Sequence, residues 1–150
     1  SVLIMVIDKI VTGISLKIRK IFDVSYKVYD DNVQQGMEKP CFFINYLDGN
    51  ENRDIGINKK NYIDILHFDI TGFSKNDDTP SLMEMADKLY DLEYITLTNN
   101  ALIRADKMQS KIEDGVLHFF IDYKLFICKG ENDNTQMNNY DLNGEVKKDG

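Results

Sequence analysis

The feature that most constrains this 150-residue chain is the dipeptide Asp114-Gly115, set between two runs of alternating apolar and polar residues. Asp-Gly favours the two-residue type I′ turn, in which both central residues take positive φ. Pairing outward from it sets Ile112 opposite Leu117, Ser110 opposite Phe119 and Met108 opposite Ile121, all on one face. The other face pairs Lys111 with His118 and Lys107 with Asp122. Register, alternation and cross-strand charge agree, and a slip of one residue would turn the apolar row outward. Along the second strand Leu117, Phe119, Ile121, Tyr123, Leu125 and Ile127 form that row. Val116, Phe120 and Phe126 on the opposite row predict that the second face is covered as well.

A hairpin alone is marginal in water, so further strands must join it. Asn61 to Phe73 reads as one, with Ile63 and Ile65 on one face and Leu66, Phe68 and Ile70 on the other. Apolar residues on both faces predict a central strand. Cys41 to Leu47 alternates Phe42, Ile44 and Tyr46, and Val24 to Tyr29 alternates Val24, Tyr26 and Val28.

Two helices complete the pattern. Over residues 3–22, Ile7, Ile10, Val11, Ile14, Ile18, Ile21 and Phe22 fall at helical spacing. Leu3, Ile4 and Val6 extend the apolar surface past one stripe, which points to a second contact, with another chain. The second helix has Thr79 as its N-cap, Pro80 in its first turn and Glu84 three residues after Ser81. Its stripe is Leu82, Met85, Ala86, Leu89 and Tyr90. The expected fold class is α+β: a mainly antiparallel sheet of four to five strands packed with two helices, one long arm and a polar C-terminal tail. The arm, 48–60, is rich in Gly, Asn and charge. Residues 1–128 are expected to form the domain. The tail, 129–150, has only Met137, Tyr140, Leu142 and Val146 as large apolar residues, too few to offset its ordering entropy alone. It is read as free or ordered on a partner.

The length suits one domain. The net charge of −7 argues against a nucleic-acid binder, so no sequence-specific nucleic-acid partner is expected. Lys17, Arg19 and Lys20 read as cations favoured at a helix C-terminus. Cys41 and Cys128 lie in apolar stretches and read as buried free thiols in a reducing compartment, with a single disulfide as the alternative. No CxxC pair supplies a zinc framework. Val2 to Ile7 resembles a short signal core, but Asp8 and Lys9 interrupt it and no cleavage site follows. No stretch approaches the roughly twenty apolar residues of a membrane span. The expected place of synthesis is the cytoplasm, with no membrane partner.

Candidate chemistry is sparse. His67 and His118 are the only histidines. His67 and Asp69 share a strand face, which allows a metal pair or an orienting dyad, as in a small metal-dependent hydrolase. A hydrogen-bonded, partly buried histidine is the stronger reading. His118 opposite Lys111 is poorly placed to bind a cation. There is no nucleophile elbow, phosphate loop or HExxH. No catalytic residue, cofactor or metal is therefore expected. Asp77-Asp78 favours the start of the following helix, and neither it nor Asp30-Asp31 has calcium-loop spacing. The arm carries Arg53, Ile55, Ile57, Lys59 and Lys60. Ile55 and Ile57 share a face if extended, which suits strand addition to a neighbour, and the three cations suit an acidic rim. Arg104 reads as an interface anchor or as a solvated arginine at a strand end.

Two stretches are more specific in order and spacing. One is Asn32-Val33-Gln34-Gln35-Gly36-Met37-Glu38-Lys39-Pro40-Cys41-Phe42-Phe43-Ile44; the other is Leu102-Ile103-Arg104 followed by Asp114-Gly115-Val116-Leu117-His118-Phe119-Phe120-Ile121-Asp122-Tyr123. Over about residues 7 to 128 the chain resembles the tail terminator family of phages and prophage-derived tail-like particles of Gram-positive bacteria. The resemblance implies a non-enzymatic structural subunit that forms a hexameric ring. Such a ring caps the head-proximal end of the tail tube, ends its polymerisation and presents a joining surface. The implied partners are copies of itself, the tail tube protein, and a sheath or head-connector protein. Assembly would take place in the host bacterial cytoplasm, and the product would be part of a virion or tail-like particle. A head-tail connector or another tail subunit is the alternative within the same particle. A tube protein builds an inner barrel from hairpins, and this chain has one clear long hairpin. The arm 48–60 is less aromatic and less basic than the family pattern, and the tail after Lys129 matches no part of it.

Overall fold

Two thirteen-residue strands, β4 (Asn61–Phe73) and β7 (Val116–Cys128), pair antiparallel and form the spine of the molecule. The structure is a computed structural model that describes residues 2–30, 36–49, 53–54, 61–128 and 141–142. Around the spine lie α1 (Val2–Ile21), β1 (Lys27–Tyr29), β2 (Cys41–Gly49), β3 (Arg53–Asp54), α2 (Thr79–Leu89), a 3-10 turn at Tyr90–Glu93, β5 (Tyr94–Thr96), β6 (Leu102–Glu113) and β8 (Asp141–Leu142). The sheet order is β1-β2-β4-β7-β6-β5, with β3 beside β4 and β8 beside β7. All described pairings are antiparallel except β1 with β2. The class is α+β, with more short strands than the sequence led us to expect.

The hairpin has the register that its turn dictates: Ile112 faces Leu117, Ser110 faces Phe119, Met108 faces Ile121, Lys111 faces His118 and Lys107 faces Asp122. Asp114 and Gly115 have φ of 54° and 75°, as a type I′ turn requires. A bulge between Ala105 and Lys107 then shifts the register and ends the regular pairing. β4 is central, flanked by β2 and β7.

One face of the sheet is fully covered. Phe42, Leu66, Phe68, Ile70, Leu117, Phe119, Ile121, Tyr123 and Leu125 have no exposed surface. Ile10, Ile14 and Ile18 of α1 and Leu82, Met85, Ala86 and Leu89 of α2 close over them. Tyr123 puts a hydroxyl into this core and donates it to the Leu92 carbonyl at 2.9 Å, while burial raises the phenol far above its ordinary value. Asp64 lies on the same side with 2% exposure, and burial pushes its carboxyl up. No helix of the described residues is long and apolar enough to cross a membrane.

Four expectations change. Val24 is not in a strand: it is 91% exposed, and β1 starts only at Lys27. Asp23 turns the chain there, accepting the Ser25 amide and hydroxyl on its carboxylate and the Tyr26 amide on its carbonyl. The cap of α2 is Asp78 rather than Thr79. Asp78 holds the extended backbone of an N-cap and accepts the Ser81 hydroxyl at 2.8 Å and the Ser81 amide at 3.0 Å, which together keep its carboxyl below the usual range. Tyr90 leaves the buried stripe, because α2 tightens into the 3-10 turn there, and is 39% exposed. The second face of the hairpin is covered by neither described helix: both pack on the other side, and Val116, Phe120 and Phe126 are half-buried. Of the arm, Asp48 and Gly49 continue β2, and Arg53 and Asp54 pair with Ile63 and Tyr62 of β4. Of the tail, Asp141 and Leu142 pair with Phe126 and Leu125.

Candidate assembly surface

The second face of the sheet, on which neither described helix packs, is built from alternate residues of the strands that make the core. Because Leu66, Phe68 and Ile70 point inward, Ile65, His67, Asp69 and Thr71 must point outward. β7 likewise contributes His118, Phe120, Asp122, Lys124 and Phe126, and β2 contributes Phe43 and Asn45.

Two histidine–carboxylate pairs lie across the middle of this face. His67 Nδ1 stands 2.6 Å from Asp122 Oδ1, directly across the ladder. His118 Nδ1 stands 2.9 Å from Asp69 Oδ2 on a diagonal. His67 and Asp69, neighbours on one strand, thus belong to different pairs. Each carboxylate orients an imidazole ring through one nitrogen, which fixes the ring rather than assembling a metal site. Among the described residues no group of three or more His, Cys, Asp or Glu side chains is placed to hold a metal ion. The second oxygen of Asp69 is buried with no hydrogen-bond partner among the described residues.

Aromatic rings surround the pairs. Phe120 stacks on His118 with centroids 6.1 Å apart, and Lys124 lies 6.0 Å over Phe126. Towards β1, Tyr29 stacks on Phe43 at 5.1 Å and Phe43 meets Phe73 edge-on at 5.7 Å. Lys39 covers Phe73 and forms an ion pair with Asp77 at 3.0 Å. Next to these rings, Cys41 is a buried free thiol, raised to about 11 by burial. A sheet face of rings whose imidazoles and carboxylates are held to one another suits packing against another protein better than it suits turnover of a small molecule.

The sheet margins are also open in part. β5 pairs only with Leu102–Arg104, and β1 only with Cys41–Phe43. Residues 105–113 of β6 and 44–49 of β2 therefore have no partner on their outer side among the described residues.

The residues singled out from the sequence are scattered over this scaffold. Arg104 is engaged within its own chain, 3.1 Å from Glu93 and 5.7 Å over the ring of Tyr94. Arg53 sits opposite Ile63 at the margin of β4. Ile55, Ile57, Lys59 and Lys60 lie outside the described residues, as does the side chain of Cys128. The sequence reading missed Phe43, Phe73 and the two crossed pairs. His118 and Asp69 are 49 residues apart, and only the register of β4 on β7, which no tight turn sets, brings them together.

A search of curated proteins finds no match. The family model described as Phage tail terminator protein matches residues 9–135. That span takes in α2, most of α1 and every strand along the main path of the sheet. On a match over most of its length, the chain belongs to the family of phage tail terminator proteins.

Proposed function

We propose that this chain is the ring-forming subunit that caps the head-proximal end of a tail tube and ends its polymerisation. Membership of the family makes it a structural component of a phage tail. The observation that carries the finer reading is the uncovered sheet face. In a two-layer domain of this family, Phe73, Phe120 and Phe126 stay partly exposed around two hydrogen-bonded histidine–carboxylate pairs. Such a face is ready for a protein neighbour. Contact between unlike patches of identical subunits either closes into a ring or runs on as a filament, and a terminator has to close.

The proposed partners are further copies, as a homohexamer, and the tube protein, with a sheath or head-connector protein on the far side. Residues 1–128 act as the domain and 129–150 as the segment that engages a partner. In the arm, Arg53, Ile55, Ile57, Lys59 and Lys60 reach the neighbouring subunit or tube rim; Arg104, held by Glu93, is a further contact at the β5–β6 margin. Assembly takes place in the host bacterial cytoplasm. The role requires no catalytic group.

Two measurements test this reading. Electron microscopy of purified particles should find one ring of six copies at the head-proximal end. Deleting the gene should give tubes of uncontrolled length. A single copy per particle, or a continuous stack along the tube, would overturn the proposal.

A further inference from the structure

On the helical side, α1 runs hard against β5. A Cβ on Gly13 would stand 3.2 Å from the Thr96 carbonyl oxygen and 3.3 Å from Ile95 Cδ1, so glycine is what lets the two backbones approach this closely. Beside that contact lies an open cleft of about 290 Å³, whose walls include Leu16, Lys17, Lys20, Thr96, Thr98 and Asn100. Its chemistry is one-sided. It offers two ammonium groups, two hydroxyls, an amide and Leu16, which is 52% exposed, and no carboxylate lines it. Neither lysine forms an ion pair among the described residues. In a chain of net charge −7, this is a local reversal of sign.

The matching surface is on α2. Leu82, Met85, Ala86 and Leu89 turn inward. Glu84 and Lys88 occupy the flank that meets α1, where Lys88 lies 5.6 Å over the ring of Phe22. Helical spacing puts Met83, Asp87 and Tyr90 on the opposite flank, with Asp91 next to them. Met83 is 56% exposed. Asp87 and Asp91 stand four apart, a spacing at which like charges repel. Asp87 lies in the last turn of α2, where the helix dipole disfavours a carboxylate, and Asp91 follows it in the 3-10 turn. Neither has an ion-pair partner among the described residues. Two neighbouring carboxylates on one exposed flank, one of them at a helix C-terminus, are relieved together by a cationic surface from outside.

We infer that the cleft beside α1 receives the acidic outer flank of α2 from a neighbouring copy of this chain. Asp87 and Asp91 meet Lys17 and Lys20, and Met83 packs on Leu16. The inference rests on the ring reading and names the surfaces that join. The two patches differ, so each subunit gives one to each neighbour, which is the contact a closed ring needs. The exposed charges make it sensitive to salt.

The test uses full-length chains carrying Cys128→Ser. Leu16→Cys and Met83→Cys are placed on separate chains, which are mixed and oxidised mildly at low salt. The mixed disulfide should exceed either like-with-like product at least tenfold. Lys17→Glu with Lys20→Glu on the first chain should abolish it, and adding Asp87→Lys with Asp91→Lys on the second should restore it. The same pair, combined on one chain, should link neighbours within assembled particles. Equal linkage of like chains, indifference to the charge reversals, or linkage only to a different tail protein overturns the inference, as does no link in either setting. If particles show a six-membered ring while the pair stays unlinked, this contact falls and the ring stands. If they show no ring, the functional reading falls as well.

Discussion

The two faces of the β4–β7 ladder share one backbone and differ in almost everything else. On the inner face Leu66, Phe68, Ile70, Leu117, Phe119 and Ile121 are wholly buried beneath two helices. On the outer face, one residue along, His67, Asp69, His118, Phe120 and Asp122 remain partly exposed and are tied to one another. Folding free energy comes mainly from the apolar area removed from water, so the inner face accounts for most of the stability. The outer face has a different requirement. A buried charge is costly unless paired, so a surface that is to be covered by another protein needs its carboxylates matched in advance. Asp69 and Asp122 each have one oxygen within hydrogen-bond distance of a facing imidazole, His118 and His67.

The widest gap between the faces should appear on truncating adjacent rings. Phe119→Ala should cost about 3–5 kcal/mol, whereas Phe120→Ala should cost less than about 1 kcal/mol. Guanidinium unfolding of the two variants measures both, and equal losses would remove the distinction. Added volume gives a second contrast. A Cβ at Gly72 would lie 3.1 Å from Met85 Cε and 3.2 Å from both Leu117 Cδ2 and Phe42 Cε1, so Gly72→Val should lose about 1–3 kcal/mol by overpacking. Thr71→Val, one residue away on the open face, should be close to neutral by the same assay.

A smaller effect depends on pH. Asp64 belongs to the inner side, and its carboxyl is pushed up by burial. A raised carboxyl pKa means that the native state binds the proton more tightly than the unfolded chain. Stability from this group is then greatest at acid pH and declines as pH rises from about 4 through the raised native value. Thermal melts should show Asp64→Asn more stable than the parent at pH 7 and level with it at the acid end. A parent that gains on the variant as pH rises would reverse the sign. A comparably small change should come from His67→Gln or His118→Gln, whose amide can still donate to the facing carboxylate: each should cost about 0.5–1.5 kcal/mol and stay competent to assemble. Stoichiometric zinc in the purified protein, lost on His67→Gln, would show that the pairs on this face serve a metal.

What the sequence made legible is what short-range chemistry fixes. Asp114-Gly115 sets the hairpin register because its two residues take the positive φ that the turn demands. The central position of β4 followed from apolar residues on both sides, even though one side proved to be open. Helix α2 was legible from its stripe, but its cap was misplaced by one residue, since Thr79 and Asp78 are both good caps and only backbone conformation separates them. β5 left almost no mark: in three residues only Ile95 turns inward, and what fixes the strand is the near approach of Gly13 on α1. The crossed pairs were hidden for a related reason. They depend on alignment between strands joined through α2, β5 and the hairpin, with no single turn to define it. Of the apolar excess read at the start of α1, Ile4 is surface, 60% exposed, whereas Val6 turns into the core at 1%, and the side chain of Leu3 lies outside the described residues.

The spine also has a mechanical direction. Its twelve paired positions run from Asn61 opposite Cys128 to Gly72 opposite Leu117, a ladder of about 40 Å. Asn61 and Cys128 form one end rung, so the chain enters β4 and leaves β7 at the same end. Tension delivered through those two leads acts on one rung at a time and peels the ladder like a zipper. Tension along the strands, between that end and the other, loads all rungs together in shear. A ladder of this geometry yields more readily to a pull at its Asn61–Cys128 rung than to a pull along its length. The first rungs to part, at Asn61 and Tyr62, lie farthest along β4 from Gly72, where Met85 of α2 packs, so those leads can give under load while the core beneath α2 stays closed.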